Sequence, residues 1–414
     1  MKIPQAPEFD STFRLLTQGY ELIQNTCRKL ETDVYEGRLL LQKTVFMMGE
    51  EAARLLYDNE KFQRHGAMPK RVQKTLLGVG GVQSLDDEAH RHRKHLFVQQ
   101  LMSPNHIKVL REITHQELVD TARTWSYTSR LILFPELQLI LCRAVCRWAS
   151  VPLDDIEAKQ RSYDIGAMIE SGGRVGLAHW DGRLARKRSE QWIVRLVQGV
   201  RSGTLVVPEH SALHAVALHR DLRGDLLPEK IAAVELLNIL RPTVAIARFM
   251  IFSALALHQF PEHKTKIEED DECLRMFVQE VRRFYPFFPQ LAARVRKDFQ
   301  WKGYAFPMGR RVILDLYGTN HDTRLWENPA SFNPQRFSGY NGGLYDFIPQ
   351  GGGDYQTHHR CPGEIITIEL MKVFLRFLTQ EISYNVPKQD FTISLSKVPT
   401  LPASGFIIEK VRVN

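Results

Sequence analysis

The sequence has 414 residues, with 55 Lys and Arg against 47 Asp and Glu, a formal net charge of +8. Hydrophobic residues make up 43% and charged residues 25%, an ordinary globular composition that excludes disorder and collagen-like structure. Length alone allows two or three domains at roughly 150 residues each. No stretch approaches the roughly 20 apolar residues of a bilayer span. The polar N-terminus MKIPQAPEFDSTFRLL lacks the apolar core of a signal peptide.

Five cysteines, an odd and sparse number, read as reduced thiols of a cytoplasmic protein rather than a disulfide framework. The positive excess is mild for this length and reads as a basic solvated surface, with no nucleic-acid partner expected. In chain order, Arg38–Leu41 and Thr44–Met47 are β-prone runs, followed by Gly49 and a helix over Glu51–Tyr57. Helical periodicity dominates from Pro104 to Trp148 and from Arg183 to Val200, with a loop over 171–182 between. Phe299–Leu316 reads as a hairpin with turns at Gly303 and Pro307-Met308-Gly309. A helix follows over Ile365–Leu378, and Ile382–Tyr384, Phe391–Leu395 and Gly405–Val411 alternate like short strands. The spacing predicts one long helix from Pro228 to about His258, with Pro261 just past its end. At about 1.5 Å per residue it would be roughly 45 Å long and cross a whole domain.

That helix is apolar nearly all round, which marks a buried central element, yet Arg241-Pro242 stands at its midpoint. A proline there removes one N–H and meets the carbonyl of Asn238, at a cost of about 3 kcal/mol. An unpartnered buried guanidinium is costlier still. Two readings stand: an arginine paired to a structural glutamate such as Glu235, or an anion site opened where the helix is distorted. The planar guanidinium fork suits a carboxylate.

Four further segments carry chemistry. Glu280-Val281-Arg282-Arg283 places an E-x-x-R pair on a helix, and Phe332-Asn333-Pro334-Gln335-Arg336-Phe337 follows a Trp-Glu-Asn-Pro turn. Either alone is compatible with surface ion pairs. The stretch from Phe347 to Glu364 contains Gly351-Gly352-Gly353, His358-His359-Arg360-Cys361 and Pro362-Gly363 before a helix. The glycines permit a tight loop with close backbone approach to a flat ligand. The helix dipole, nearby N–H groups and Arg360 favour thiolate at Cys361. Cys361 is therefore either a nucleophile with His358 or His359 as base, or a haem axial ligand. Zinc is disfavoured by crowding and by the lack of a second ligand cluster. Cys142 and Cys146 read as buried small hydrophobes, and Cys27 and Cys273 have no local partners. Last, His90-Arg91-His92-Arg93-Lys94-His95 is either a solvated helix face or a cluster for acidic groups, with His90 and Lys94 on one face.

Taken in order, these segments resemble the cytochrome P-450 superfamily across essentially the whole chain. The resemblance rests on Glu280 and Arg283, then Phe332, Pro334, Arg336 and Phe337, then Phe347, Cys361 and Gly363. Two departures from the usual pattern narrow it. The haem loop is extended as PQGGGDYQTHHRCPG, with His359 where an Arg is usual. The central helix carries Arg241-Pro242, within LLNILRPTVAI, in place of an acid–Thr pair. Both are marks of the fatty-acid peroxygenase subfamily. EVRRFYPF and the ending LPASGFIIEKVR extend the match.

The resemblance implies a mainly α fold with small β-sheets, spanning 1–414 as one haem-thiolate domain. It implies a bacterial-type soluble enzyme with no reductase domain appended and no integral membrane contact. Haem b would lie between the central helix and the Cys361 loop, with Cys361 as axial ligand and His90, Lys94 and His359 as further haem contacts. Glu280, Arg283 and Arg336 would form an ion-pair network behind the haem. Hydrogen peroxide would be the oxidant, a long-chain fatty acid the substrate, and no redox partner would be required. Arg241 would hold the substrate carboxylate, which supplies the acid–base group the helix lacks, with Pro242 making room. Leu77, Val82, Gln83, Pro242 and Phe287 would line the pocket. Decarboxylating members tend to have His where this chain has Gln83, and some members have Phe where it has Leu77. Hydroxylation at the α carbon is therefore expected ahead of β. The alternatives are decarboxylation to terminal alkenes, or a dioxygen-dependent monooxygenase with separate redox partners.

Overall fold

The computed structural model describes residues 1–173 and 176–414. Two positions of the 171–182 loop, 174 and 175, lie outside the described residues. The rest of that stretch is shorter than a loop reading predicts, because a helix already starts at Leu177 and runs to Ser202. Gly182 lies inside it, where a Cβ would sit 1.8 Å from Ser171 Oγ.

Among the described residues, helices surround three small sheets. Val34–Leu39 and Gln42–Met47 form an antiparallel hairpin. Leu40 and Leu41 are its turn, with φ of 53° and 61°. They do not extend the strand as Arg38–Leu41 suggested. Positive φ at both central residues gives the twist a two-residue hairpin needs. Arg311–Asp315 pairs parallel to Gln42–Met47 and antiparallel to Gln290–Val295, with Phe62–Gln63 at the far edge. The Phe299–Leu316 expectation therefore splits. Phe299–Trp301 and Tyr304–Phe306 form a hairpin around Gly303, while the strand after Gly309 joins the larger sheet. In the second sheet Ile407–Val413 lies between Arg130–Ile132 and Ile382–Asn385. Phe391–Leu395 is no strand; it contributes one bridge, Ile393 to Pro402. The Pro104–Trp148 periodicity breaks into helices Pro104–Trp125 and Leu133–Trp148 around the Arg130–Ile132 strand.

The central helix is the axis of the fold. It packs against Leu133–Trp148, Asp155–Glu170 and Leu177–Ser202. It forms two segments, Glu229–Ala245 and Ala247–Gln259, and the helix continues through Pro242. The break comes one turn later, where Ile246 N–H donates to Thr243 O at 3.1 Å, a tightened i to i−3 bond. Every residue from 232 to 257 is buried except Pro242 and Ala245, which share one face. Contrary to the expectation from apolar runs, Glu229–Gln259 is long and apolar enough to cross a membrane, but 89% of its apolar window is buried inside the protein. Such a helix is a core element here.

Asp315 ends the Arg311–Asp315 strand and caps the next turn, accepting Gly318 N–H at 2.8 Å. Burial pushes its pKa up to about 7, against opposing backbone hydrogen bonds. The folded state therefore keeps a proton that the unfolded chain, with an Asp pKa of about 3.9, has lost. Asp315's contribution to stability falls as pH rises from about 4 to 7. Asp315→Asn should gain stability over the parent across that range, reaching about 4 kcal/mol at pH 8. Paired thermal melts from pH 4 to 8 test this, and a difference independent of pH contradicts it.

Candidate active site

Arg241 is 5% exposed in the apolar central helix. Its Nη1 donates to the Leu76 carbonyl and its Nη2 to Asn238 Oδ1 at 3.3 Å. It forms no ion pair among the described residues. Glu235, the candidate partner, instead binds Arg93 Nη1 at 2.7 Å. Burial lowers the Arg241 pKa to about 9, helped by the nearby Arg186 charge and opposed by Cys361. Arg186 belongs to no sequence motif. It is 2% exposed, donates to the same Leu76 carbonyl at 3.0 Å and pairs with Glu190 at 2.6 Å. Gly78 (φ 87°) lets it pass, since a Cβ there would sit 2.3 Å from Arg186 Nη2.

Among the described residues, no carboxylate pairs with Thr243 of the central helix. Thr243 lies near Arg241, but its hydroxyl donates to Ile239 O at 2.9 Å. That back-bond satisfies the hydroxyl within its own helix.

Of the five pocket candidates, Pro242 is half-buried on the central helix and the other four come from three further segments. Leu77 ends the 73–77 turn and is half-buried, as are Gln83 and Phe287, while Val82 is buried. Gln83 Oε1 accepts from Asn238 Nδ2 at 3.2 Å. Phe287 stacks on Phe249 of the central helix at 4.2 Å and 22°. Asn238 ties the Arg241 and Gln83 side chains together.

Cys361 is half-buried, just before the helix Glu364–Arg376. Burial pushes its thiol pKa up, with the Gly363 N–H and the Lys94 and Arg282 charges opposing. Arg360 does not assist as its place in sequence suggested. Its Nε binds Glu364 Oε2 at 2.8 Å, and Arg282 also binds that carboxylate. Neither neighbouring histidine serves as a base for the sulfur. His358 Nδ1 accepts the Asp354 N–H at 2.9 Å, and His359 stacks on His90 at 3.8 Å. No cluster of three or more metal-ligating side chains of the zinc type occurs among the described residues. A metal charge reverses the effect of burial on a coordinating thiol, which it deprotonates outright. The glycine loop is shaped by protein contacts: a Cβ on Gly351 (φ 94°) would sit 2.7 Å from Tyr57 Oη. That hydroxyl accepts the Gly352 N–H at 2.8 Å.

A basic cluster adjoins the loop. His90 and Lys94 are both buried on the inner face of Asp87–Leu101, so the solvated-face reading fails for them. Burial, with neighbouring positive charge, lowers His90 to about 3 and holds His359 well below its usual range. Burial also lowers Lys94 to about 8. Lys94 Nζ donates to the His358 and Arg360 carbonyls at 2.9 and 2.5 Å, gripping the backbone on both sides of His359. Arg64, which no motif flags, belongs to this cluster, and its charge depresses His90 and His359. The nearby carboxylates Asp86 and Asp354 are engaged by backbone N–H groups. These residues fit a haem. Two buried cations, Lys94 and Arg64, beside imidazoles that burial keeps neutral suit two propionates, and a half-buried cysteine at a helix start suits an axial thiolate.

Behind the loop, Glu280 and Arg283 are fully buried and joined by two 2.8 Å hydrogen bonds. Arg336 reaches Glu280 at 3.1 Å. This is an interior triad rather than a set of surface pairs. Arg283 also donates to the Asn320 and Pro329 carbonyls, tying the helix Asp271–Phe284 to the segment before the Cys loop.

A family model for cytochrome P-450 matches residues 265–408. The chain is similar over its full length to cytochrome P-450EX alpha solved with myristic acid, at 43% identity and a TM-score of 0.97, covering 100% of that chain. It is similar over its full length to a variant of cytochrome P-450 OleT in complex with arachidonic acid, at 33% identity and a TM-score of 0.97, covering 99% of that chain. Curated relatives match over less. Ent-isokaurene C2/C3-hydroxylase of Oryza sativa subsp. japonica is 27% identical over 263 residues, 55% of this chain and 49% of that one. The chain spans about a third to a half of the length of such relatives.

Proposed function

Because the chain belongs to the cytochrome P-450 family and its cofactor is therefore haem, we propose that it is a peroxygenase that hydroxylates long-chain fatty acids at the α carbon with hydrogen peroxide. In this reading 1–414 is one haem-binding domain that works in the cytoplasm without a redox partner. Cys361 holds the iron, and His90, His359, Lys94 and Arg64 receive the propionates. The haem supplies an iron centre at which peroxide is activated, with electron density pushed from the thiolate.

The observation that carries this reading is Arg241, a buried guanidinium with no carboxylate partner among the described residues. A fatty-acid carboxylate provides that partner, and the planar fork can hold it in two parallel hydrogen bonds. Held there, the carboxylate is the group that accepts a proton from peroxide and returns it, the role of a general acid–base. No residue of the central helix competes for the task, since Thr243 is back-bonded and Glu235 is paired to Arg93. This disfavours a dioxygen-dependent monooxygenase. Anchoring the carboxylate at Arg241 orients the substrate so that its first carbons lie nearest the reacting centre, and Leu77, Val82 and Phe287 supply apolar surface to the chain. Each buried CH₂ contributes about 0.8 kcal/mol, which favours long chains. Gln83 is an amide, so it has no acidic proton to give an intermediate, which favours hydroxylation over decarboxylation. Both P-450EX alpha and OleT were solved with fatty acids, in keeping with a long-chain acid as substrate.

Arg241→Ala should lower peroxide-driven turnover of a long-chain acid on the order of a hundredfold or more. Adding a short carboxylic acid should restore part of the peroxide-driven activity. Intact fatty-acid hydroxylation in this variant contradicts the substrate-assisted mechanism. Leu77→Phe should shift the ratio of α to β products, read by chromatography after a single reaction. An unchanged ratio removes Leu77 from the selectivity argument.

A further inference from the structure

Asn238 sits one turn before Arg241 and uses all three arms of its amide. Its Oδ1 accepts from Arg241 Nη2 at 3.3 Å, and its Nδ2 donates to Gln83 Oε1 at 3.2 Å and to Glu235 Oε2 at 3.0 Å. Both of its N–H donors are thereby engaged. Glu235 is fully buried. Its other oxygen binds Arg93 Nη1 at 2.7 Å, and the Val82 backbone N–H also donates to the carboxylate. One buried carboxylate thus reaches the Asp87–Leu101 helix, the Val82–Gln83 segment and, through Asn238, the Arg241 guanidinium.

A buried ion pair such as Arg93–Glu235 adds little stability over a well-packed apolar pair. Orientation is what it can supply. An arginine side chain is long and flexible, and bidentate capture of a carboxylate requires its plane to be fixed beforehand. We propose that Glu235, acting through Asn238, is the positioning residue that sets the Arg241 guanidinium and the Gln83 amide, and so lets the pocket select a carboxylate over a neutral headgroup. The inference rests on the reading of Arg241 as the carboxylate anchor. Catalysis is not asked of Glu235 itself, because its contact with Arg241 runs through the amide of Asn238.

The test is a binding titration of the haem-containing protein without peroxide. A saturated long-chain acid and the alcohol of the same chain length are each added, and the shift of the haem absorption band gives an apparent Kd. The parent is compared with Glu235→Gln and Asn238→Ala. The second variant keeps the Arg93–Glu235 pair and guards against misfolding of the first. The expected result is acid binding weakened about three- to tenfold, the worth of one hydrogen bond, with alcohol binding changed by less than about twofold. Equal weakening of acid and alcohol in both variants means a merely structural role and overturns the inference, as does unchanged acid binding in both. Acid-selective weakening supports the inference even if peroxide-driven hydroxylation is not found. Hydroxylation by the parent combined with unselective weakening removes this inference alone.

Discussion

Arg241 carries a positive charge into an apolar, buried helix, where its two anchors, the Leu76 carbonyl and the Asn238 amide, are dipoles rather than charges. An uncompensated buried ion costs several kcal/mol, far more than an isolated hydrogen bond returns. The fold tolerates this cost because the helix is locked on several sides. Leu133–Trp148, Asp155–Glu170 and Leu177–Ser202 all pack against it. A second buried arginine, Arg186, reaches the same Leu76 carbonyl and adds to the local positive charge. The region therefore favours an anion at Arg241 and disfavours further cations.

The opposite wall is built on a different principle. The charges behind the Cys361 loop are numerous, and each of the four arginines there binds one of two glutamates. Glu280 binds Arg283 and Arg336, and Glu364 binds Arg282 and Arg360. Burial alone would raise the Glu364 pKa, but the two arginines hold it below its usual value. Paired ions of this kind tie segments distant in sequence into fixed positions. Removal of one partner would leave a buried charge at a cost of about 3–5 kcal/mol. Beside the Cys361 loop, the Lys94 and Arg64 cations lie against His90 and His359, whose imidazoles they help to keep neutral. The protein thus has one rigid ion-paired wall, an edge carrying the Lys94 and Arg64 cations, and one buried guanidinium, Arg241, with no carboxylate partner among the described residues. A thiolate-bound group with two carboxylates and a substrate with one carboxylate match these three features.

Much of this was legible in the sequence because local rules applied. Arg241 stood out as a charge in an apolar helix, and Cys361 as a cysteine between a glycine loop and a helix start. The E-x-x-R pair at Glu280 and Arg283 became informative only beside Phe332–Phe337 and Cys361. What escaped was long-range. Arg93 lay unremarked inside a basic run, and nothing local says that its partner is Glu235 on the central helix. Arg64 and Arg186 belong to no motif, and their roles come from tertiary contacts alone. Local signals also mislead about position where they compete with geometry. Leu40 and Leu41 look β-prone, yet the hairpin needs positive φ there and leaves both side chains exposed. Pro242 looked like the point of helix distortion, but the break falls at Ile246, one turn later. Arg360 looked like the charge that would favour thiolate at Cys361, and instead it is held by Glu364.

The central claim is that the substrate's own carboxylate completes the site. It is tested most directly by giving the haem-containing protein hydrogen peroxide and either a saturated long-chain acid or the methyl ester of that acid, with no reductase, and analysing the products. The acid should be hydroxylated, chiefly at the α carbon, and the ester left essentially unreacted. Oxidation of the ester at the rate of the acid would contradict it.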